Sequence, residues 1–317
     1  MFDKLMSLQS MRNARIWLYD HHPFNSRNDW YTFLKKMFAK ITDNDTTERA
    51  ASVSYSLLLA VFPTVIFFFT LIPYIPIPDL QDQIMGFFRE VLPGDTFSTV
   101  DTTISDIISR PRSGVLSLGF LLALYSATSG LVALMQAFNS AYEWSERRGF
   151  FEIRGIAILL TFTLAFALIL AVVVLIIGGI VSAYLTHFGI LDNVIFITLL
   201  AIGRYLIVFA VFVGVVSVIY RFGPDVNLKW TFIMPGAVTA SILIVLTTLG
   251  FSYYVSNFGS YNKLYGSIGT LIALMIWINL ISLLLIIGFD MNIALYNLEG
   301  DQNPSVTAKT TDNAPAT

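Results

Sequence analysis

Residues 264–289 read LYGSIGTLIALMIWINLISLLLIIGF, 26 residues without one Asp, Glu, Lys or Arg. About 20 apolar residues rising 1.5 Å each cross a hydrocarbon core of roughly 30 Å, so this stretch can span a bilayer as a helix. Five stretches of the same kind precede it. The six spans are expected at residues 50–73, 114–137, 156–179, 194–220, 230–255 and 265–287. Lipid leaves no partner for unpaired backbone groups, and transmembrane strands are shorter and alternate in polarity, so each span must be helical. The fold class is therefore an all-α integral membrane protein with six transmembrane helices.

Composition agrees. The 317 residues are 56% hydrophobic and 13% charged, with a mean hydropathy of +0.70, whereas soluble domains carry about 25% charged residues. A formal net charge of −2 gives no basic surplus for nucleic acid. The chain has no cysteine, which removes disulfides, thiolate metal sites and a thiol nucleophile. His21 and His22 are adjacent on a polar arm and His187 stands alone, so a three-ligand metal site has no parts. There is no P-loop and no G-x-S-x-G elbow. These features describe a chain that is not an enzyme and takes no cofactor or metal. Charges run through residues 1–49, which does not fit a cleavable signal peptide.

Lys and Arg segregate between the two sides. Eight precede the first span (Lys4, Arg12, Arg15, Arg27, Lys35, Lys36, Lys40 and Arg49). Arg147, Arg148, Arg154, Arg221, Lys229 and Lys309 share their side, giving fourteen. Arg89, Arg110, Arg112 and Lys263 make four on the other. The positive-inside rule puts both termini in the cytoplasm.

The membrane domain is expected at residues 50–295, including an extracytoplasmic loop at 76–113, with an arm before it and a tail after it. In the cytoplasmic arm, residues 1–49, Trp30, Phe33, Leu34, Met37, Phe38 and Ile41 form one helical stripe flanked by Arg27, Lys35, Lys36 and Lys40. Such a helix lies at the cytoplasmic interface or serves as a plinth under the bundle. Asp45-Thr-Thr-Glu48 reads as a capping box opening the first span. The extracytoplasmic loop at 76–113 carries stripes at Ile84, Phe87, Phe88, Val91 and Leu92 and at Ile104, Ile107 and Ile108, fitting a small helical cap between spans one and two. Residues 296–317 are small and polar, as in a disordered tail.

Arg204 is the leading candidate for function. It falls about ten residues, roughly 15 Å, into the fourth span, where an arginine costs several kcal/mol without a partner. A cavity or an anionic ligand such as a phosphate headgroup answers that cost; so does a structural cap of carbonyls and hydroxyls. Asp290 and Asn292 close the last span, as an ion or proton site or as solvated helix-end groups. Ser52, Ser54, Tyr55 and Ser56 make the entry to the first span polar, and Gln136, Asn139 and Ser140 do so at the end of the second. With Asn279 and Ser282 they line a polar path or glue helices together at about 1 kcal/mol or less each. Ser126-x-x-x-Gly130 and Gly236-x-x-x-Ala240 are small-residue packing contacts within or between subunits.

Ala51-Ser-Val-Ser-Tyr-Ser-Leu-Leu-Leu-Ala-Val-Phe-Pro63, Pro224 through Trp230 to Pro235-Gly236, and Phe251-x-x-Tyr254, Tyr261, Tyr265-Gly266-Ser267, Trp277 and Gly288-Phe-Asp-Met-Asn292 resemble the YihY/BrkB family of bacterial inner-membrane proteins. The resemblance covers residues 40–295 and all six spans. It implies a multi-pass protein of the bacterial cytoplasmic membrane. Members were once labelled ribonuclease BN, mistakenly, and others are linked to serum resistance or lipopolysaccharide export. Tyr265 joins the candidate residues through the family's Tyr-Gly opening, and Asp290 stands where the family has Glu, with a shorter reach. The reading is a protein that binds or translocates an amphipathic anion, a lipid or glycolipid. A non-catalytic scaffold for envelope proteins is the alternative, an intramembrane enzyme or nuclease comes last, and the partners expected besides lipid are an envelope protein or a second copy in a homo-oligomer.

Overall fold

The computed structural model describes residues 31, 34, 35, 38, 44–75, 82–86, 113–141, 146–187, 194–226, 228–257 and 259–300. It contains α1 (Asn44–Leu71, followed by a 3-10 turn at Ile72–Tyr74), α2 (Ser113–Ala141), α3 (Phe150–His187), α4 (Val194–Phe222), α5 (Trp230–Asn257) and α6 (Gly259–Gly300). All six are long and apolar enough to cross a membrane, and no strand occurs among the described residues. Helices apolar on every face suit lipid rather than a water-facing surface.

Two boundaries differ from expectation. The 38-residue α3 is about 57 Å long and starts at Phe150, so Arg154 lies inside the helix and not in the preceding loop. α6 continues to Gly300, beyond the expected domain end at 295. Asp45 sits within the first described turn of α1 and pairs with Arg49, so it does not act as an N-cap. Of the arm, residues 31, 34, 35 and 38 are helical, and Leu34 packs on Ile287, Met291 and Leu295 of α6, a plinth-like contact. Of the loop at 76–113, residues 82–86 are helical. The rest of arm, loop and tail lies outside the described residues.

Each helix packs on the next in chain order, and α6 returns to α1 to close a ring; α6 also touches α2. One end of this ring, here called basal, holds the start of α1, α3 and α5 and the finish of α2, α4 and α6. The buried core concentrates there. Among the described residues, none of α3 beyond Leu160 and none of α4 before Val213 is buried. The distal α3–α4 hairpin is thus peripheral.

Residues 288–292 of α6 organise the basal end, each serving a different neighbour. A Cβ at Gly288 would come within 2.5 Å of the Tyr220 hydroxyl and 2.6 Å of Ala240 Cβ, and one at Gly236 would collide with the Gly288 carbonyl. Phe289 stacks with Phe138 of α2 and Tyr220 of α4, with ring centroids 4.5 Å and 5.7 Å away. Asp290 faces Arg49 of α1, and Met291 joins the cluster holding Leu34. Asn292 Oδ1 accepts the Gly236 N–H of α5 at 2.8 Å. Pro235, just before it, disturbs the regular α5 hydrogen-bond ladder and makes a side-chain acceptor useful there.

Gly236→Ala forces two backbones apart and should cost about 1–3 kcal/mol or more. Gly250→Ala, on the same helix with open space around it, should be neutral or stabilising by up to about 1 kcal/mol. Equilibrium unfolding in mixed detergent micelles reads both; equal effects would contradict the close α5–α6 approach.

Candidate functional site

The basal polar seam joins α1 and α6. Arg49 is nearly buried: its Nη1 donates to the Ala137 carbonyl of α2 at 3.0 Å, and its Nη2 to Thr46 Oγ1 at 3.1 Å. Its Nε meets Asp45 Oδ2 at 2.9 Å, and Nη2 lies 3.9 Å from Oδ2 of the fully buried Asp290 carboxylate. Tyr220 donates to the Leu285 carbonyl at 2.7 Å nearby. Further along the seam, Asn279 Nδ2 donates to Ser54 Oγ at 3.3 Å, and Ser54 donates to the Ala51 carbonyl at 2.9 Å. Hydrogen bonds from Arg49, Asn279 and Tyr220 and the ion-pair contact of Arg49 with Asp290 make the seam an inter-helix lock, and Asn292 Nδ2 is a buried donor within it.

Beyond the membrane-spanning residues, a clasp ties the α2–α3 link to the α4–α5 link. Arg148 grips Glu146 through Nε at 2.7 Å and Nη2 at 2.8 Å, and the same Nη2 reaches the Gly223 carbonyl at 2.8 Å. Asn139 donates to Glu146 Oε2 at 2.5 Å and accepts the Asp225 N–H at 2.8 Å. Arg147 N–H donates to Asp225 Oδ2 at 3.1 Å. Hydrogen bonding from Arg148 holds the Glu146 carboxyl below the usual carboxylate range against the opposing effect of burial. The same bond raises the Arg148 guanidinium.

Arg204 belongs to neither group. Its stem crosses α3 at a two-glycine notch, where a Cβ on Gly178 would fall 2.6 Å from Arg204 Cδ and one on Gly179 3.5 Å from Nη1. A bulkier residue at Gly178 would exclude the arginine. Cζ lies 5.0 Å from the Tyr205 ring centroid, and Nη2 donates to the Tyr205 hydroxyl at 3.5 Å. Nε is buried without a hydrogen-bond partner. No carboxylate of a described residue pairs with it. The arginine lines a groove of about 420 Å³ between α3 and α4, walled by Val174, Val181, Phe196, Leu199 and Ile207. The lining is thus apolar apart from Arg204, not a polar cavity. α4 is apolar from its start at Val194, so Arg204 lies ten residues, about 15 Å, inside it.

The structure gathers Ser54, Asn279, Asp290 and Asn292 along the α1–α6–α5 seam and sets Arg204 apart. Tyr55 is 58% exposed on α1 and turned away from the seam's buried groups. The Tyr265 side chain lies outside the described residues. Arg49, Arg148, Glu146 and Asp225 escaped sequence reading because they stand at span ends, where charges are ordinarily solvated. The position of Arg49 four residues after Asp45 was the only local signal.

The sequence profile of the family described as Virulence factor BrkB matches residues 37–311. This chain belongs to the BrkB family. The ribonuclease-like protein YfkH of Bacillus subtilis (strain 168) is 33% identical over 276 residues, covering 86% of this chain and 99% of YfkH. A UPF0761 membrane protein of Tolumonas auensis is 22% identical over 255 residues, covering 78% of this chain and 79% of the relative. A UPF0761 membrane protein of Aggregatibacter aphrophilus is 21% identical over 287 residues, covering 86% and 95%. No solved structure matches. The expected resemblance to BrkB proteins is borne out, and with six spans this BrkB-family chain is a multi-pass membrane protein.

In this BrkB-family protein, Arg49→Met should strand a buried carboxylate and cost about 3–5 kcal/mol, while Arg49→Met with Asp290→Leu should recover most of it. Detergent unfolding of the single and double variants measures this, and additive losses would show that the two groups do not interact. The clasp sets an acid limb. A carboxyl with a lowered folded-state pKa contributes stability that is present above its unfolded pKa and lost as pH falls through the folded value. Glu146→Gln should therefore lower the unfolding midpoint at neutral pH and flatten its decline toward acid. A wild-type slope in the variant would put the acid sensitivity elsewhere.

Proposed function

We propose that the protein binds an amphipathic, lipid-like anion in the α3–α4 groove and moves it across the bacterial inner membrane, with the basal end and both termini cytoplasmic. The observation that carries this reading is Arg204: a guanidinium inside an apolar groove, seated in a glycine notch, with its Nε unbonded and no carboxylate of a described residue beside it. An intramembrane arginine is costly unless paired, hydrated or snorkelling. A phosphate or carboxylate headgroup offers the bidentate partner it lacks, and the surrounding valines, leucines and Phe196 suit the tail of such a molecule. The orientation rests on the fourteen Lys and Arg residues assigned to the basal side against four.

In this reading the protein acts by binding and not by catalysis. The buried acid Asp290 faces Arg49, as befits a structural seam. The word ribonuclease in the name of YfkH belongs to that protein. Among the described residues of this chain no three of His, Asp or Glu converge where they could hold a metal ion.

Native mass spectrometry of the purified protein tests the proposal. Wild type should retain an anionic lipid, and Arg204→Ala and Arg204→Met should each bind it at least tenfold more weakly, about 1.4 kcal/mol. Their unfolding midpoints should stay close to wild type. Unchanged binding by folded variants would make Arg204 a structural residue.

A further inference from the structure

α3 carries a second cation that the groove at Arg204 does not use. Arg154 extends to α2, where its Nη1 donates to Ser129 Oγ at 3.0 Å and to Thr128 Oγ1 at 3.2 Å. Its Cζ stands 4.6 Å from the Tyr125 ring centroid and 5.7 Å from that of Phe150. Both hydroxyls also donate to the Tyr125 carbonyl, at 2.9 Å from Thr128 and 2.8 Å from Ser129, so their protons are committed and only their lone pairs face the arginine. No carboxylate of a described residue pairs with Arg154, although Glu146 and Asp225 are both engaged by Arg148 on the adjoining link. The charge is therefore oriented but not neutralised.

Its surroundings face the membrane. Tyr125 is 61%, Phe150 65% and Phe151 87% exposed, and the Phe150 and Phe151 rings lie 5.5 Å apart. Tyrosine collects at the headgroup level of bilayers, and the two phenylalanines offer apolar surface beside it. Depth agrees. Arg154 lies four residues inside the start of α3 at Phe150, and Gly178, the seat of Arg204, lies 24 positions further along the same helix. That separation is about 36 Å along the helix, close to the thickness of a hydrocarbon core of roughly 30 Å when the helix is tilted. Each guanidinium thus falls within snorkelling reach of one headgroup plane.

We infer that Arg154, with Tyr125 and Ser129, is a binding site for the anionic headgroup of a lipid in the leaflet at the basal end. The guanidinium takes the phosphate through its remaining N–H groups, and Phe150 and Phe151 cover the start of the acyl chains. A lipid fits better than free phosphate, because the exposed rim is aromatic and opens onto the bilayer. The site requires nothing of Arg204. Its use as the opposite end of a transfer path rests on the function proposed above.

The test uses the full chain in detergent, phosphatidylglycerol as the probe, and phosphatidylcholine and inorganic phosphate as controls, read by native mass spectrometry. Wild type should hold two phosphatidylglycerol molecules under conditions that strip phosphatidylcholine, and inorganic phosphate should not displace them. Arg154→Met should hold one, Arg204→Met one, and the double variant none. Arg154→Gln keeps a polar donor on a shorter stem and loses the charge; it too should hold one, and its unfolding midpoint, read alongside, guards against a variant that fails to fold. Two lipids retained by Arg154→Gln would overturn the inference while leaving the Arg204 groove standing. One lipid on wild type, lost with Arg204→Met, would do the same. Two lipids on Arg204→Met and one on Arg154→Met would support the basal site and remove the groove. Equal retention of phosphatidylcholine, or displacement by inorganic phosphate, would overturn a headgroup-specific lipid site at Arg154.

Discussion

Lipid tails are as apolar as leucine, so helices in a bilayer gain nothing by hiding side chains from one another and must be joined by close packing and hydrogen bonds. Here that joining is concentrated where Gly288 of α6 lies against Gly236 and Ala240 of α5. The absence of a side chain at both glycines allows the backbones to approach, and the approach places the next four residues. Phe289 enters the ring cluster with Phe138 and Tyr220, Asp290 meets Arg49, Met291 joins Leu34, and Asn292 reaches the Gly236 N–H. A shift of α6 by one residue would rotate each of these about 100° away from its partner.

The charged pair in that cluster is a constraint as much as an attachment. Burying Arg49 and Asp290 costs several kcal/mol per ion, and the pair holds only while Thr46, Asp45 and the Ala137 carbonyl complete the arginine's hydrogen bonds. Those partners come from α1 and α2, so the pair can form in one register of three helices. The clasp of Asn139, Glu146, Arg148 and Asp225 then fixes the links on the same side. With the basal end bound in this way, α3 and distal α4 are left as a peripheral hairpin, and the arginines at Arg154 and Arg204 lie along it rather than in the core.

Much of this architecture could be read from residues alone. Long uncharged runs dictate helices in lipid whatever their neighbours, so the six spans and the fold class needed no tertiary information. Gly236-x-x-x-Ala240 announced a close contact, and its partner proved to be Gly288. The small residue at Gly130 likewise accommodates Leu57 of α1, whose Cδ2 would lie 2.5 Å from a Cβ there. The site was less legible. Ser54, Asn279, Asp290 and Asn292 stood out as polar residues in apolar runs, but a polar residue reads alike whether it lines a path or bonds the next helix. Arg154 was hidden by a boundary error of a few residues, which turned a membrane-facing arginine into a loop charge.

The sequence by itself determined that the chain is a set of six apolar helices in a membrane, because hydropathy over about 20 residues is a local property. It also marked Arg204 as costly, since an isolated charge in such a run needs no neighbours to be conspicuous. Only the tertiary structure decided which charges are satisfied. Arg49 and Arg148 find carboxylates 241 and at most 77 residues away, at Asp290 and at Glu146 and Asp225, whereas Arg154 and Arg204 find hydroxyls, rings and a glycine notch. Pairing depends on which helices meet and at what height, and that is set by the packing at Gly236 and Gly288, which no single stretch of sequence contains.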